Sequence, residues 1–122
     1  MPDCLFCRMV AGEVPAQVVS QTDRVLAFRD INPQAPTHVL VIPKEHHPNL
    51  AALAAADPRL LGEVVSVAAA VAAEEGLAGG DGDDPGYRVV ANTGPDAGQT
   101  VHHVHLHLLG GRAMGWPPFP RD

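Results

Sequence analysis

The hydrophobic positions of the chain follow two periods, one typical of a helix and one typical of strands. Between Asp57 and Gly76, leucine, valine and alanine recur every three or four residues, as on the buried face of an amphipathic helix. Asp57 can cap that helix, Pro58 suits its first turn, and Gly76 can end it. The pattern therefore predicts one long helix over residues 58–75.

Shorter runs that are rich in β-branched and aromatic residues predict five strands. They cover residues 18–21, 25–31, 38–42, 87–91 and 101–109. Most links between them are too short for a helical crossover, which favours antiparallel pairing. Residues 4–11 can form a short helix, and the Gly- and Asp-rich residues 79–86 are typical of an exposed loop. The expected fold is one α+β domain over residues 1–122, with a five-stranded antiparallel sheet, one long helix and one or two short helices.

Composition and charge narrow the classes of function. A chain of 122 residues, 46% of them hydrophobic, is long enough for one modest core. Eight Lys and Arg against 14 Asp and Glu give a formal net charge of −6, which provides no general attraction to nucleic acids or anionic membranes. No apolar run reaches the roughly 18 residues of a membrane span, and the N-terminal residues lack the pattern of a signal peptide. We therefore expect a cytoplasmic protein that binds neither nucleic acid nor membrane.

Four of the seven histidines fall in the last predicted strand. They are His102, His103, His105 and His107. Because alternate residues of a strand share a face, the last three would form a row with a spacing of about 6.6 Å. His102 and the intervening apolar residues would point to the core side. A solvent-facing strand, a catalytic zinc site and nucleophilic histidine chemistry are the alternative interpretations of this row.

The segment before this strand, residues 94–100, can bind an anion. Its glycines allow backbone N–H groups to point at a phosphate, and Gln99 and Thr100 can add side-chain donors. A loop of this kind beside neutral imidazoles suits a phosphate ester or amide.

The sequence His103-Val104-His105-Leu106-His107 resembles the His-x-His-x-His signature of the histidine-triad (HIT) superfamily. Residues 23–31, 33–44, 98–100 and 110–118 resemble the Hint branch of that superfamily, as does Asn92. The tail from residue 110 separates Hint proteins from the branch that cleaves diadenosine polyphosphates. The likeness runs from residue 4 to residue 118, and it implies a HIT-like sheet that continues across a two-fold dimer.

The resemblance also implies hydrolysis of purine nucleoside 5′-phosphoramidates to the nucleoside monophosphate and an amine. His105 would attack the α-phosphorus and form a nucleotidyl-histidine, which water then opens. One ring nitrogen would donate to a backbone carbonyl and leave the other free to attack. His107, Gln99 and Thr100 would hold the phosphoryl oxygens, and either Thr100 or His107 would protonate the leaving nitrogen. The alternatives are a hydrolase or nucleotidyl transferase acting on dinucleoside polyphosphates, and a nucleotide-binding scaffold.

Further nucleotide contacts follow from the same resemblance. The Asp30 carboxylate would accept hydrogen bonds from both ribose hydroxyls, and Trp116 would shape the leaving-group side. The base slot would be lined by Phe6, Met9, Val14, Phe28 and Ile31, and the other predicted contacts are Asn92, Gln99, Thr100, His105 and His107. For each apolar residue a place in the ordinary core is the alternative, and Asp30 can instead cap a turn. His38 is expected to be a satisfied strand histidine without a role in the site.

The two cysteines, Cys4 and Cys7, form a Cys-x-x-Cys pair. This spacing disfavours a fold-stapling disulfide and leaves a metal site, a redox pair or unpaired thiols as alternatives. The pair resembles bacterial-type Hint members that bind zinc, in which the histidine of Pro-Lys-x-His, here His46, and the first triad histidine, here His103, complete the ligand set. Four such ligands make a closed and therefore structural zinc site, and the chemistry on phosphorus would need no metal.

Overall fold

Five antiparallel strands form one sheet in the order β1-β2-β3-β5-β4. The computed structural model describes residues 4–80 and 82–119. The strands are β1 (Val18–Gln21), β2 (Val25–Arg29), β3 (Thr37–Pro43), β4 (Tyr87–Ala91) and β5 (Leu106–Gly110). Each neighbouring pair runs antiparallel. The predicted α+β class and the five strands are confirmed.

Three helices accompany the sheet: α1 (Leu5–Val10), α2 (Leu50–Ala56) and α3 (Pro58–Glu74). The predicted long helix is α3, and the Asp57 side chain caps it by accepting a hydrogen bond from the Leu60 N–H at 3.0 Å. It ends just before Gly76, whose φ of 78° favours glycine. The helix α2 was not located from the sequence because its run of leucine and alanine has no polar face to mark a period. Asn49 caps it by accepting from the Ala52 N–H at 2.9 Å.

Two apolar clusters cover opposite faces of the sheet, and β3 supplies residues to both. Val39 and Val41 pack into the larger cluster with α3, whereas Leu40 and Ile42 pack into a smaller cluster with Phe6 of α1. Alternate side chains of a strand point to opposite faces, so α3 and α1 lie on opposite sides of the sheet. Every residue of β3 is buried.

The last strand is shorter than predicted. Its pairing with β3 and β4 starts at Leu106, and residues 101–105 run irregularly before it. The N–H of Val104 donates to the His47 carbonyl at 2.7 Å instead of to a neighbouring strand. His103 and His105 therefore precede the strand, and the predicted even row of three imidazoles was wrong.

Two other expectations are corrected for local reasons. His102 is exposed instead of facing the core, because strand alternation does not extend back to it. β2 ends at Arg29, before the predicted end at residue 31, because the Asp30 side chain accepts a hydrogen bond from the Asn32 N–H at 2.8 Å and begins a turn. No helix in the described part of the chain is long and apolar enough to span a membrane.

The packing of α3 on the sheet gives a test of the fold. Leu60 is fully buried in the larger cluster, so Leu60→Ala is expected to lower the free energy of unfolding by about 2–5 kcal/mol. Urea unfolding at one protein concentration, followed by circular dichroism, measures the change. Ser66→Ala, at an exposed position of the same helix, is the control and should change it by less than about 0.5 kcal/mol. Small losses in both variants would contradict the packing of α3.

Candidate active site and metal centre

A cavity of about 540 Å³ opens on the α1 side of the sheet. Eight of the residues predicted to act in catalysis or nucleotide binding line it: Phe6, Met9, Phe28, Asp30, Ile31, Thr100, His105 and His107. The structure thus brings together residues that are far apart in the sequence. Most of the wall is apolar, and its polar side chains are Gln17, Arg29, Asp30, Thr100, His105 and His107.

The His105 ring is buried at this cavity and its orientation is set by its own backbone. Its Nδ1 lies 2.8 Å from the carbonyl oxygen of His103. Because a carbonyl only accepts, Nδ1 carries the proton, and the neutral ring has its lone pair on Nε2. This matches the expectation that one ring nitrogen donates to a backbone carbonyl. Within the described residues, no side chain or backbone group hydrogen-bonds Nε2, so this nitrogen is available to a ligand.

His107 is held by a second histidine, His38, through a chain of hydrogen bonds. The backbone N–H of Gln34 donates to Nδ1 of His38 at 3.0 Å, so the proton of the neutral His38 ring is on Nε2. That nitrogen lies 2.9 Å from Nδ1 of His107, which therefore accepts. The proton of His107 is then on Nε2. His38 is satisfied, as predicted, but it also orients a residue of the site, which the sequence interpretation missed.

The rings of His38 and His107 are both uncharged at neutral pH. Burial lowers the pKa of His38. Burial, helped by the nearby His105 and His38 rings, lowers the pKa of His107 to about 4. His107 therefore offers an N–H donor that carries no formal charge.

Asp30 lies next to His38, and its carboxylate makes two contacts. One carboxylate oxygen accepts from the Asn32 N–H, and the other lies 3.4 Å from Nε2 of His38. Asp30, His38 and His107 are close enough to hold a metal ion. However, an ion would need the lone pair of His38 on Nε2, whereas the Gln34 N–H requires that lone pair on Nδ1. The hydrogen bonds of His38 therefore disfavour a metal ion at these three residues.

A second cluster joins α1 to the histidine segment, which we define as residues 101–107. This cluster contains the four predicted metal ligands. They are Cys4, Cys7, His46 and His103, and their ligand atoms all lie within 4.8 Å of one another. The Cys4 and Cys7 sulfurs lie 3.3 and 3.6 Å from Nδ1 of His103, and the Cys7 sulfur lies 3.3 Å from Nδ1 of His46. Both cysteines are free thiols. Two sulfurs and two imidazole nitrogens are a donor set that suits a tetrahedral metal ion.

The surrounding backbone prepares His103 for this cluster. Its Nε2 donates to the Pro43 carbonyl at 2.8 Å, so its Nδ1 presents a lone pair to the two sulfurs. The ring is fully buried, and burial lowers the pKa of His103 to about 4. Burial and the adjacent Cys4 thiol raise the pKa of Cys7, an effect that a bound cation would reverse. The residues present therefore fit a metal centre.

Two of the predicted polar contacts support the loop instead of lining the cavity. The Gln99 side chain donates to the Pro48 carbonyl at 2.7 Å, and its oxygen accepts from the Gly94 N–H at 3.0 Å. Asn92 donates to the Ala97 carbonyl at 2.7 Å. Because both N–H groups and the oxygen of the Gln99 amide are already paired, the expectation that Gln99 contacts a phosphate directly is corrected, while the predicted nucleotide contact of Asn92 stays a prediction. Both side chains hold the shape of the loop that leads to Thr100.

Two more predicted contacts lie away from the cavity of this chain. Trp116 is 80% exposed, and its ring lies 5.8 Å from the guanidinium carbon of Arg88. Val14 is half-buried but does not line the cavity. Neither residue lines the cavity of this chain, and their predicted contacts with a nucleotide stay predictions.

Several wall residues were missed by the sequence interpretation, among them Leu40 and Val101. The period of β3 contains a signal for Leu40 and for His38, because both are on the face opposite Val39 and Val41. That parity predicts only that both residues share one face of the sheet, and the packing of Phe6 in the structure identifies it as the α1 face. No comparable signal exists for Val101, which lies in an irregular segment.

The comparisons with known proteins agree with this geometry. The HIT domain family matches residues 11–114. A purine nucleoside phosphoramidase of Escherichia coli K12 is 43% identical over 113 residues, which cover 93% of this chain and 91% of that protein. A 14 kDa zinc-binding protein of Zea mays is 50% identical over 117 residues, which cover 93% and 86% of the two chains.

Comparison of the fold with solved structures leads to the same family. The crystal structure of a HIT family hydrolase from Legionella pneumophila Philadelphia 1 superposes with a TM-score of 0.88 at 48% identity, covering 96% of this chain and 100% of that one. The match extends over the sheet, the helices and the histidine segment alike. By sequence and by fold, this chain belongs to the HIT family.

Proposed function

We propose that this HIT family hydrolase cleaves the P–N bond of purine nucleoside 5′-phosphoramidates, releasing a nucleoside monophosphate and an amine. The observation that carries the proposal is the His105 ring, which donates through Nδ1 to a backbone carbonyl and keeps the lone pair of Nε2 at the cavity. The similarity to a purine nucleoside phosphoramidase supports this substrate class over dinucleoside polyphosphates.

The cavity suits the parts of such a substrate. The base would lie among the apolar side chains of Phe6, Phe28 and Leu40, and the ribose hydroxyls would donate to Asp30. The α-phosphate would then lie beside the histidines. Because the chain has a net charge of −6, uncharged N–H donors such as that of His107 are what can hold the phosphate locally.

The reaction would proceed in two displacements. The lone pair on Nε2 of His105 attacks the α-phosphorus, the P–N bond breaks, and the leaving nitrogen keeps the bonding pair and takes up a proton. Negative charge on the phosphoryl oxygens is stabilised by the Nε2–H of His107. A water molecule then attacks the phosphorus of the nucleotidyl-histidine, loses a proton, and releases the monophosphate and a free His105.

The proton on the leaving nitrogen can pass through either of two groups at the cavity, the imidazole of His107 or the hydroxyl of Thr100. A neutral imidazole and a hydroxyl are both very weak acids, so each would donate only as it takes up a proton from solvent. The first displacement thus takes one proton from solvent, and the second returns one when the attacking water loses its proton.

His105→Asn is expected to reduce turnover of adenosine 5′-phosphoramidate by at least about 10³-fold, because asparagine cannot form the nucleotidyl intermediate. AMP should still bind, since Asp30 and the apolar wall are unchanged, and calorimetry measures this affinity. His102→Asn is the matched control in the same segment, and its exposed ring predicts unchanged turnover.

Two further measurements decide between the functions. Mass spectrometry of the protein quenched during turnover should find the nucleotidyl group on His105. Retained turnover in His105→Asn would contradict the assigned nucleophile, and faster turnover of diadenosine polyphosphates than of the phosphoramidate would favour the alternative substrate class. Binding of AMP without hydrolysis of either substrate would favour the nucleotide-binding scaffold.

We also propose that the metal centre holds structural zinc, bound by Cys4, Cys7, His46 and His103. The mixed sulfur and nitrogen donor set and the similarity to a zinc-binding protein support this choice of metal. Zinc would attach α1 to the histidine segment and would take no part in the chemistry on phosphorus.

Metal analysis of the purified protein should find about one zinc ion per chain, and Cys4→Ser should lose it, because the site has four ligands and no spare donor. The melting temperature should fall when the metal is lost, since metal binding stabilises only the folded chain. His47→Asn is the matched control, as its ring contacts Glu45 and not the cluster. A metal-free wild type that is as stable as the zinc-treated protein would contradict the zinc proposal.

We propose, finally, that the protein is a homodimer formed through β4 and α3. β4 pairs only with β5, so its outer edge has no partner among the described residues. Val89 of β4 pairs with Leu108, which faces α3, so Val89 is on the α3 side of the sheet. Val89 is 41% exposed and Val65 of α3 is 50% exposed. An open edge next to exposed valines suits a second copy of the chain.

Val89→Lys is expected to convert the dimer to a monomer in sedimentation experiments, because a buried lysine at the contact would have no partner. Val18→Lys, on the strand at the opposite edge of the sheet, is the matched control and should remain dimeric. A wild-type protein that sediments as a monomer at high concentration would contradict this assembly.

A further inference from the structure

We propose that Phe6 is a positioning residue that transmits the state of the metal centre to His105, so that metal occupancy controls the formation of the nucleotide cavity. The role of His105 in this statement rests on the proposed function, whereas the coupling of metal to nucleotide binding does not require any turnover.

Phe6 lies between the two cysteines on a helix that cannot hold its position alone. The six residues of α1 are fewer than an isolated helix needs for stability in water. Cys4 caps this helix, accepting the Cys7 N–H at 3.3 Å, and Cys7 lies within its first turn. The two sulfurs that face the metal centre therefore flank Phe6 closely in the chain.

The Phe6 ring is buried and touches both sites. Its centroid lies 5.1 Å from that of His105 and 5.8 Å from that of His103, with interplanar angles of 88° and 71°. It also lies 5.5 Å from Phe28, a wall residue of the base slot. Edge-to-face contacts of this kind restrict the position and tilt of the partner ring. Phe6 is thus in contact with a metal ligand, the proposed nucleophile and the nucleotide wall.

A second path runs through the backbone of the metal ligand. His103 directs its Nδ1 to the sulfurs, and its carbonyl accepts the Nδ1–H of His105. The nucleophile is therefore held at two points, by a ring and by a carbonyl, and both belong to elements that meet at the metal centre. Besides the packing of Phe6, these elements are joined by sulfur–nitrogen contacts of 3.3 to 3.6 Å, which are weak hydrogen bonds and would be replaced by much stronger metal–ligand bonds.

The predicted consequence is a shared defect. Loss of the metal lets α1 move, which removes one wall of the base slot and frees the His105 ring to tilt. Replacement of Phe6 by a residue without an aromatic edge removes the same contacts while the metal stays bound. Displacements of about 1 Å at a reacting group are enough to cost about two orders of magnitude in rate.

The test is a cycle of Phe6→Leu and Cys7→Ser in the full-length protein. AMP affinity is measured by calorimetry, and the rate of nucleotidyl transfer to His105 is measured in single turnovers at saturating substrate. Each single variant should lose about tenfold or more in both quantities. The double variant should be little worse than the poorer single variant, because both changes remove one set of contacts.

The control cycle combines Cys7→Ser with Val71→Ala, which lies in the larger cluster on the other face of the sheet. Val71→Ala should leave AMP affinity unchanged alone, and its effect on the melting temperature should add to that of metal loss. If Cys7→Ser does not fold, wild type treated with a chelator replaces it in both cycles.

Nitrogen-15 spectra of the His105 ring, taken at one pH, report its state without turnover. The metal-loaded wild type should carry the proton on Nδ1, and both Phe6→Leu and the metal-free protein should show a mixture of tautomers. A merely structural role of Phe6 would lower stability and leave this signature unchanged. Independent losses that multiply in the Phe6 cycle, or unchanged AMP affinity and spectra after metal removal, would overturn the proposal. Coupled AMP binding without phosphoramidate hydrolysis would instead overturn the proposed function alone.

Discussion

The hydrogen bond from Nδ1 of His105 to the His103 carbonyl is the constraint on which the rest of the site depends. A neutral imidazole has one proton and one lone pair, so fixing the proton on one nitrogen decides where the lone pair points. The acceptor is a backbone oxygen two residues away, so its position does not depend on the rotamer of another side chain. The irregular course of residues 101–105 makes this contact geometrically accessible, because in a regular strand that carbonyl would face a neighbouring strand.

The same principle recurs at each histidine of the site. The Pro43 carbonyl sets the proton of His103, and the Gln34 N–H, acting through His38, sets that of His107. Uncharged rings with assigned tautomers can act as metal ligand, nucleophile and hydrogen-bond donor side by side, whereas protonated rings would repel one another and block the lone pairs. Burial lowers the pKa of His103 and of His107 and so keeps these two rings uncharged.

Much of this could be predicted from the sequence, and the failures have physical causes. The cap and period of α3 act locally, so that Asp57 and the buried face of the helix were identified correctly. The resemblance identified the cluster around Cys4 because each of its ligands lies in a short sequence motif, Cys-x-x-Cys, Pro-Lys-x-His or His-x-His-x-His. The prediction of a strand before Leu106 was wrong. Alternating polar and apolar residues are typical of a strand, but an irregular segment that is buried on two sides can show the same alternation. The hydrogen bond from the Gln99 side chain to the Pro48 carbonyl was not predictable, because the two residues are distant in the chain.

The burial of β3 on both faces has a consequence for how the molecule tolerates change. This strand carries Leu40 and His38 on the cavity side, Val39 and Val41 on the α3 side, and the Pro43 carbonyl at its end. Inserting or deleting one residue within it would move every side chain on one side of the change to the opposite face. The imidazole that orients His107 would then enter an aliphatic layer, and valine would replace it at the pocket. Length variation among functional relatives is therefore expected in loops, such as residues 78–80 and 82–86, and is expected to be absent from this strand.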